Sequence, residues 1–259
     1  MNVATTRKRL ALLAAAGVSI VPGLGRAQDG AEQALASRHQ SYQSPQYFAL
    51  ELRFSPFTPD IDSDPALHGA APYATAFGTN ARLLIAAEFD WQAARIPHVG
   101  TIGPGVGIGY VSANRLAALA PPLTGISGET TTLEIFPVYA VGVLRVDVLW
   151  REVGIPLVPY AKLGVGAAYW RASNTLGTSH YQGESGLGSS AGTQLAFGLG
   201  LNLNVLDEYA ARNFDESAGV NNTYFFTEWS RSDFNGLWFQ QSVLRAGGTY
   251  WTFGLAFEF

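Results

Sequence analysis

The last ten residues of the chain constrain its fold more than any other segment. Within residues 250–259, large apolar side chains alternate with small or polar ones. Because successive side chains of a β-strand point to opposite faces, one face of a strand here would carry only large apolar groups. These groups are Trp251, Phe253, Leu255, Phe257 and Phe259. The segment therefore predicts a terminal β-strand with one strongly apolar face.

The same period-two alternation occurs in eight places and predicts eight strands. The alternating segments begin near Phe48, Leu83, Ile102, Thr131, Tyr160, Gln194, Tyr224 and Tyr250. The fourth segment, at about residues 131–148, is apolar on both faces, so its facing stays open. The seventh segment has aromatic residues on both faces, so its facing also stays open.

The less apolar faces of these strands separate a soluble sheet from a barrel that spans a membrane. They carry Gly, Ala, Asn and Gln with isolated charges, whereas a water-facing sheet would be rich in Lys, Glu, Thr and Arg. Small residues and paired charges suit the narrow interior of a small barrel. The apolar faces would then meet lipid, where a sheet must close to satisfy its backbone. We predict an all-β, antiparallel, up-and-down transmembrane β-barrel of eight strands, with ten as the alternative.

The lengths of the connections agree with this topology at every position except one. Long and short connections alternate, as they do in outer-membrane barrels with short periplasmic turns and long outer loops. The exception is the connection at residues 205–222, which would be a periplasmic turn but has about 18 residues. It predicts either a short helix at residues 207–214 or a hidden pair of strands, which would raise the strand count to ten.

The N-terminus has the pattern of a secretory signal peptide. Arg7, Lys8 and Arg9 precede an apolar stretch at residues 10–24, and Gly25-Arg26-Ala27 is an imperfect cleavage site. We predict a signal peptide at residues 1–27, a mobile periplasmic lead-in at residues 28–45 and a barrel at residues 46–259. Cleavage would leave a net charge of −8, from 12 basic and 20 acidic residues, which does not suggest nucleic-acid binding.

Charged residues on the less apolar faces predict a charge network in the lumen. The network comprises Glu51, Arg53, Glu88, Asp90, Lys162, Glu228 and Glu258, with Arg145 as a less certain member. Eight strands leave an interior about wide enough for side chains, which favours a paired and filled lumen. A narrow channel for small solutes is the alternative.

Two other motifs resemble binding sites but lack residues that such sites require. The spacing of Asp60, Asp62 and Asp64 mimics the start of a calcium loop, but Pro65 and Ala71 stand where that loop needs Gly and an acid, so we predict no metal site. Alternating glycines at residues 103–109 lack the context of a phosphate loop and indicate room for a neighbouring side chain.

Histidines on predicted outer loops leave a lipid-modifying enzyme as a less favoured alternative. His68 and His180 have Ser and acidic residues nearby in sequence, but a catalytic triad must converge in space. The chain has no cysteine, which excludes thiol nucleophiles and thiolate metal sites. We expect neither an enzyme nor a cofactor.

The chain as a whole resembles the small eight-stranded outer-membrane barrels of the OmpA and OmpX type. Residues 47–62, 206–215 and 219–228 further resemble a family of uncharacterised outer-membrane β-barrel proteins found mainly in myxobacteria. The resemblance implies an integral protein of the bacterial outer membrane with both termini in the periplasm. It implies no assigned activity, which leaves a structural or surface-interaction role.

The same resemblance implies a set of partners. Outer-membrane barrels typically end in a C-terminal Phe that the barrel-assembly machinery recognises, so Phe259, with Phe257, would be the assembly signal. The remaining expected partners are outer-membrane lipid and lipopolysaccharide, which the acidic outer loop would contact through divalent ions. We expect a monomer.

Overall fold

The computed structural model describes residues 46–118, 125–181, 184–237 and 243–259. The predicted signal peptide and lead-in lie outside these residues. Eight long strands form the framework, and each is antiparallel to its neighbours. They are β1 (Phe48–Phe57), β2 (Arg82–Trp91), β3 (Gly100–Ala118), β4 (Ile126–Arg145), β5 (Leu157–Asn174), β6 (Leu187–Asn202), β7 (Asn222–Asp233) and β8 (Gly248–Glu258).

The strands close into a barrel in chain order. Each strand pairs with the next along the chain, and β8 pairs with β1 through the register Leu52↔Leu255. Closure leaves no exposed sheet edge between the first and last strands. The prediction of an antiparallel, up-and-down, eight-stranded barrel is therefore confirmed. In the part of the chain that the structure describes, no helix combines the length and the apolarity needed to cross a membrane.

The connection that the sequence left open forms a helix. The structure has α1 (Pro72–Phe77), α2 (Val148–Arg151) and α3 (Glu208–Ala218). The Asp207 carboxylate accepts hydrogen bonds from the first-turn amides of α3, and Gly219 ends it with φ +68°. The alternative of a hidden strand pair in this connection is wrong, because residues Glu208–Ala218 form a helix that Asp207 and Gly219 cap at its two ends.

Short strands extend the framework without changing the ring. Ala94–Ile96 pairs with β3 and Gly177–Thr178 pairs with β5, whereas His180–Tyr181 pairs with Glu184–Ser185 in a separate two-stranded sheet. The strands β3 to β6 have 16 to 20 residues, whereas the other four have 10 to 12. The long strands continue at the end away from the chain termini. We name the end that holds Phe48 and Glu258 the terminal rim and the opposite end the far rim.

Side chains alternate between a buried inner face and an exposed, apolar outer face. On β3 and β5 the outward Val106 and Leu163 are 58% and 65% exposed. The facing of β4 is resolved, with Ile135 and Tyr139 buried and Val138 outside. Every strand contributes to the apolar outer face; its members include Leu52, Leu83, Ile85, Val106, Ile108, Val138, Leu163, Val165, Leu199, Phe225, Phe253 and Leu255.

Glycines on the inner face make room for aromatic rings from the neighbouring strand. Gly107 pairs with Tyr139 of β4, and a Cβ built at Gly107 would overlap the Tyr139 ring. The Tyr139 hydroxyl then donates to Glu88 Oε2 at 2.8 Å. Gly198 accommodates the ring of Tyr160 in the same way. These glycines are therefore packing positions inside the barrel.

We predict that Gly107→Val destabilises the folded barrel by about 1–3 kcal/mol, because overpacking forces the Tyr139 ring off its position. Gly142→Val is the matched control, since Gly142 lies on the outer face and its added Cβ would meet its nearest atom at 3.8 Å. Urea unfolding in detergent or lipid measures both variants. Equal stability losses would contradict the packing role of Gly107.

Candidate functional site

Eight ionisable side chains lie together on the inner face, and we name them the charged layer. The structure places all seven residues of the predicted lumen network there, and Arg145 joins them. None of the eight is more than 4% exposed. The layer comprises Glu51, Arg53, Glu88, Asp90, Arg145, Lys162, Glu228 and Glu258. Six of the eight barrel strands contribute, so the layer ties opposite walls together.

Lys162 bridges the lumen. Its Nζ lies 2.5 Å from Glu88 Oε1 and 2.7 Å from Glu51 Oε2, with Glu228 Oε2 at 3.6 Å. Lys162 is on β5, which stands four strands away from β1 in either direction around the ring. The ammonium therefore joins opposite walls of the barrel, and burial makes charge-assisted bonds of this kind stronger than they are in water.

Arg53 holds three carboxylates on one side of the layer. Its guanidinium is 2.5 Å from Glu51 and 3.2 Å from Glu88, and it also pairs with Glu228 of β7. It lies over the Phe226 ring at 5.6 Å from the ring centroid. A planar group with several donors suits a position that must serve several acids at once.

Arg145 is the third cation of the layer. It lies 3.1 Å from both Glu51 and Asp90 and 3.4 Å from Glu258. The sequence placed it less firmly because β4 is apolar on both faces. The sequence nevertheless indicated a missing cation, because the predicted layer without Arg145 had five acids and two bases. An interior this short of cations indicates that another basic residue faces inward.

Neutral side chains also donate hydrogen bonds to carboxylates of the charged layer. The Tyr224 hydroxyl donates to Glu258 Oε2 at 2.9 Å, and Asn222 Nδ2 donates to the same atom at 3.2 Å. Ser230 Oγ donates to Glu228 at 2.5 Å. Five acids face three bases, so these hydroxyl and amide donors are needed to limit the cost of buried negative charge.

The carboxylates of Glu51, Glu88 and Asp90 are close enough together to suggest a metal site. One oxygen from each lies within 4.8 Å of the others. However, Lys162 contacts Glu51 and Glu88 directly, and Arg145 contacts Asp90. The ammonium and guanidinium groups occupy the position that a cation would take. The arrangement is an ion-pair cluster rather than a metal centre.

A second, apolar layer closes the lumen towards the far rim, and we name it the apolar cap. The connection between β1 and β2 folds inward and buries Ile61, Tyr73 and Phe77. They pack against inner-face side chains of the barrel, among them Phe57, Leu84, Val111, Leu133 and Ile135. The long outer loop predicted after strand one is thus partly an internal lid on the barrel.

Two of the three aspartates with the calcium-loop spacing stabilise the connection that forms this cap. The Asp62 carboxylate accepts hydrogen bonds from the amides of Tyr73 at 2.7 Å and Ala74 at 2.9 Å, which fixes α1. Asp64 accepts from the amide of Ala66 at 2.9 Å. Partial burial raises the pKa of Asp60, and the nearby Asp233 raises it further. The carboxylates of Asp62 and Asp64 therefore serve as hydrogen-bond acceptors for local backbone amides.

Little space remains inside the layer. A cavity of about 10 Å³ lies beside Glu51 and Arg145, with Tyr160, Tyr224 and Phe226 among its walls. That volume holds about one water molecule. At this position the lumen is filled by side chains.

The other predicted residues lie at the rims. Phe259 is close to Phe48 and Phe89, with ring centroids 6.1 Å and 6.3 Å away, and its amide donates to the Phe48 carbonyl. Of the two histidines on predicted outer loops, His180 has Ser185 as its cross-strand neighbour. Across the described ranges, no hydrogen bond joins His68 or His180 to a serine or a carboxylate, and His180 Nδ1 contacts the Thr178 carbonyl.

Comparison with known proteins finds only distant structural likenesses. No family model and no curated protein sequence matches it, so the myxobacterial-type resemblance stays a prediction. The solved structures similar to it include Neisserial surface protein A (10% identity, 83% of this chain, 98% of that chain, TM-score 0.43). They also include the outer membrane protein OprG from Pseudomonas aeruginosa (14% identity, 84% of this chain, 97% of that chain, TM-score 0.42). A third is Ail, the attachment invasion locus protein of Yersinia pestis, in complex with the heparin analogue sucrose octasulfate (10% identity, 83% of this chain, 97% of that chain, TM-score 0.41). Likenesses of this size identify no family and no function.

We predict that Arg53→Met destabilises the barrel by about 3–5 kcal/mol, because Glu228 and its neighbours would lose a buried cation. Glu51→Gln should cost less, since it brings the numbers of acids and bases closer together. Arg212→Met is the surface control: Arg212 pairs with Glu208 at 3.6 Å on exposed α3, and such pairs contribute about 0–1 kcal/mol. Urea unfolding in lipid compares the three, and equal, negligible losses for Arg53→Met and Glu51→Gln would contradict the pairing account.

Proposed function

We propose that this protein is an integral outer-membrane β-barrel with a structural or surface-interaction role and a side-chain-filled interior. The observation that carries the proposal is the apolar outer face, to which every strand contributes. Soluble monomers rarely expose a contiguous apolar patch of more than a few hundred Å². An apolar surface all around a closed barrel is favourable only in lipid.

The height of the uncharged outer surface fits a bilayer. The outward residues of β1 are uncharged over residues 48–56, and those of β5 over residues 157–169. At about 3.3 Å per residue and a strand tilt of about 40°, these runs rise by about 20 Å and 30 Å. They bracket the apolar band of about 25 Å typical of outer-membrane barrels.

Charges and aromatic rings mark the edges of this band. Towards the far rim, the outward Glu134 and Arg171 are cross-strand neighbours, and Arg231 pairs with Asp233 at 2.9 Å. Aromatic pairs stand near both boundaries, with Phe48 and Phe89 at the terminal rim and Tyr110 and Phe136 on the other side. Such aromatic girdles accompany the two interfaces of outer-membrane barrels.

The connections support an orientation with both termini in the periplasm. The far rim holds the longest connection, residues 58–81, and the extended ends of β3 to β6, although β3 and β4 are joined there by residues 119–125 only. At the terminal rim, residues 92–99 join β2 to β3 and residues 146–156 join β4 to β5, and the α3 connection of residues 203–221 is the long exception. Outer-membrane barrels have short periplasmic turns. In this orientation Phe259 and Phe257 lie where the barrel-assembly machinery would read them. Lipopolysaccharide would surround the far rim.

The two layers inside the lumen favour a closed barrel over a channel. A solute entering from the far rim would meet the apolar cap, and beyond it the charged layer. Opening a path would require breaking several buried ion pairs, each strongly stabilised by its partners. Any interaction at the cell surface would be made by the far rim, where the extended strands β3 to β6 reach furthest from the terminal rim.

Extraction and conductance test this proposal together. The protein should require detergent for extraction from the outer-membrane fraction, and unboiled protein should migrate differently from boiled protein on a denaturing gel. In planar bilayers it should add no steady conductance. Deleting residues 60–77, which removes much of the apolar cap, should also leave the barrel closed because the charged layer remains.

Each part of this test has an outcome that overturns a different part of the proposal. A soluble monomer without detergent would refute the membrane location. A steady conductance of the wild-type protein would replace the filled barrel with a narrow channel. A conductance that arises only after the deletion would assign the seal to the cap alone.

A further inference from the structure

The helix α3 lies outside the barrel wall rather than below the lumen. The ring of Phe214 meets the ring of Phe257 edge-on, with centroids 6.3 Å apart and planes at 86°. Phe257 belongs to the outward row of β8, together with Phe253 and Leu255. A helix that touches this row stands beside the apolar outer face at the terminal rim.

Hydrogen bonds hold the connection in this position. Asn204 Nδ2 donates to the Asn221 carbonyl at 2.7 Å, and Asn204 Oδ1 accepts from the amide of Thr223 at 3.2 Å. Asn202 Oδ1 accepts from the Asn204 amide at 2.9 Å. At the start of α3, Asp207 accepts from the amides of its first turn. The connection is therefore anchored to both strands that it joins.

The apolar side of α3 is nevertheless only partly covered by protein, through the contact between Phe214 and Phe257. No residue of the helix is buried. With about 100° between successive residues, Ala210, Ala211 and Phe214 share one side of the helix. They form one wall of an open groove of about 540 Å³, and Leu203, Leu206 and Thr223 contribute to the other wall. Leu206 is 78% exposed.

We propose that this groove takes an acyl chain of a phospholipid from the adjacent leaflet, which makes α3 an interfacial helix of the periplasmic side. This inference rests on the proposed membrane location. The groove is continuous with the lipid-facing row of β8 through the contact between Phe214 and Phe257. Interfacial amphipathic helices bury their apolar side about 5–10 Å into the boundary between headgroups and acyl chains.

The charges of α3 select the kind of lipid. The side of the helix away from the groove carries Glu208, Arg212, Asp215 and Glu216, three acids and one base. Many interfacial helices are rich in Lys and Arg, which attract anionic lipids. An acidic edge instead suits a zwitterionic headgroup, whose ammonium can approach the carboxylates. We therefore assign the groove to a phosphatidylethanolamine-type lipid.

Single spin labels can test this placement without background, because the chain contains no cysteine. Ala210→Cys puts a nitroxide in the groove, Glu216→Cys puts one on the opposite side of α3, and Phe253→Cys puts one in the lipid-facing row. The labelled, heat-modifiable barrels are reconstituted in phosphatidylethanolamine and phosphatidylcholine vesicles. Collision rates with oxygen, which concentrates in lipid, and with a water-soluble nickel chelate are then measured.

We expect positions 210 and 253 to favour oxygen several-fold over the chelate, and position 216 to show the reverse. A nickel-accessible label at position 253 would refute the membrane location itself. A lipid-exposed label at 253 with a nickel-accessible label at 210 would overturn only the interfacial helix. A label at 210 shielded from both reagents would also overturn it, in favour of a protein contact.

A comparison between zwitterionic and anionic vesicles tests which lipid headgroup the groove prefers. In vesicles of anionic phosphatidylglycerol, the acidic edge should be repelled, so the nickel accessibility at position 210 should rise at least two-fold while that at 253 stays unchanged. The same accessibility at position 210 in both kinds of vesicle would contradict the assignment to a zwitterionic lipid.

Discussion

The ion pairs of Lys162 with Glu51 and Glu88 cross the lumen, and the rest of the structure depends on them. They join β5 to β1 and β2, on the opposite side of the ring. Taking these charges out of water is costly, and mutual pairing is what makes the burial tolerable. Because Arg53 also pairs with Glu51 and Glu88, and Arg145 also pairs with Glu51, these ion pairs are linked into one network.

The charged side chains of the lumen pair with one another, so the outer surface of the barrel takes no part in that pairing. All three cations of the inner face pair with its carboxylates, although Asp90 Oδ1 and Glu228 Oε2 have no hydrogen-bond partner among the described residues. Glycines such as Gly107 and Gly198 let aromatic rings fill the space between the walls. The apolar cap covers the layer towards the far rim, and α3 extends the apolar surface at the terminal rim. The paired charges, the glycines and the apolar cap all fit a lumen that is too narrow to hold bulk water.

Alternation in the sequence predicted the ring and most of the layer, because strands with one apolar face reveal which side chains point inward. It failed on β4, where Leu133 and Ile135 pack against the cap and make the inner face apolar as well. Arg145 was therefore harder to place than Lys162. The extension of β3 to Ala118 and the inward fold of the cap depend on distant partners that no local pattern records. The helix α3 was an open alternative, although Asp207 and Gly219 mark its ends.

A double-mutant cycle between Lys162 and Glu88 tests most directly whether the charged layer holds the barrel together. Unfolding free energies in lipid would be measured for Lys162→Met, Glu88→Gln and the double variant. The account predicts that the two losses are not additive, with a coupling of about 1–3 kcal/mol, because each single change leaves a buried partner uncompensated. A coupling within about 0.5 kcal/mol of zero would contradict it, since independent sites add within that margin.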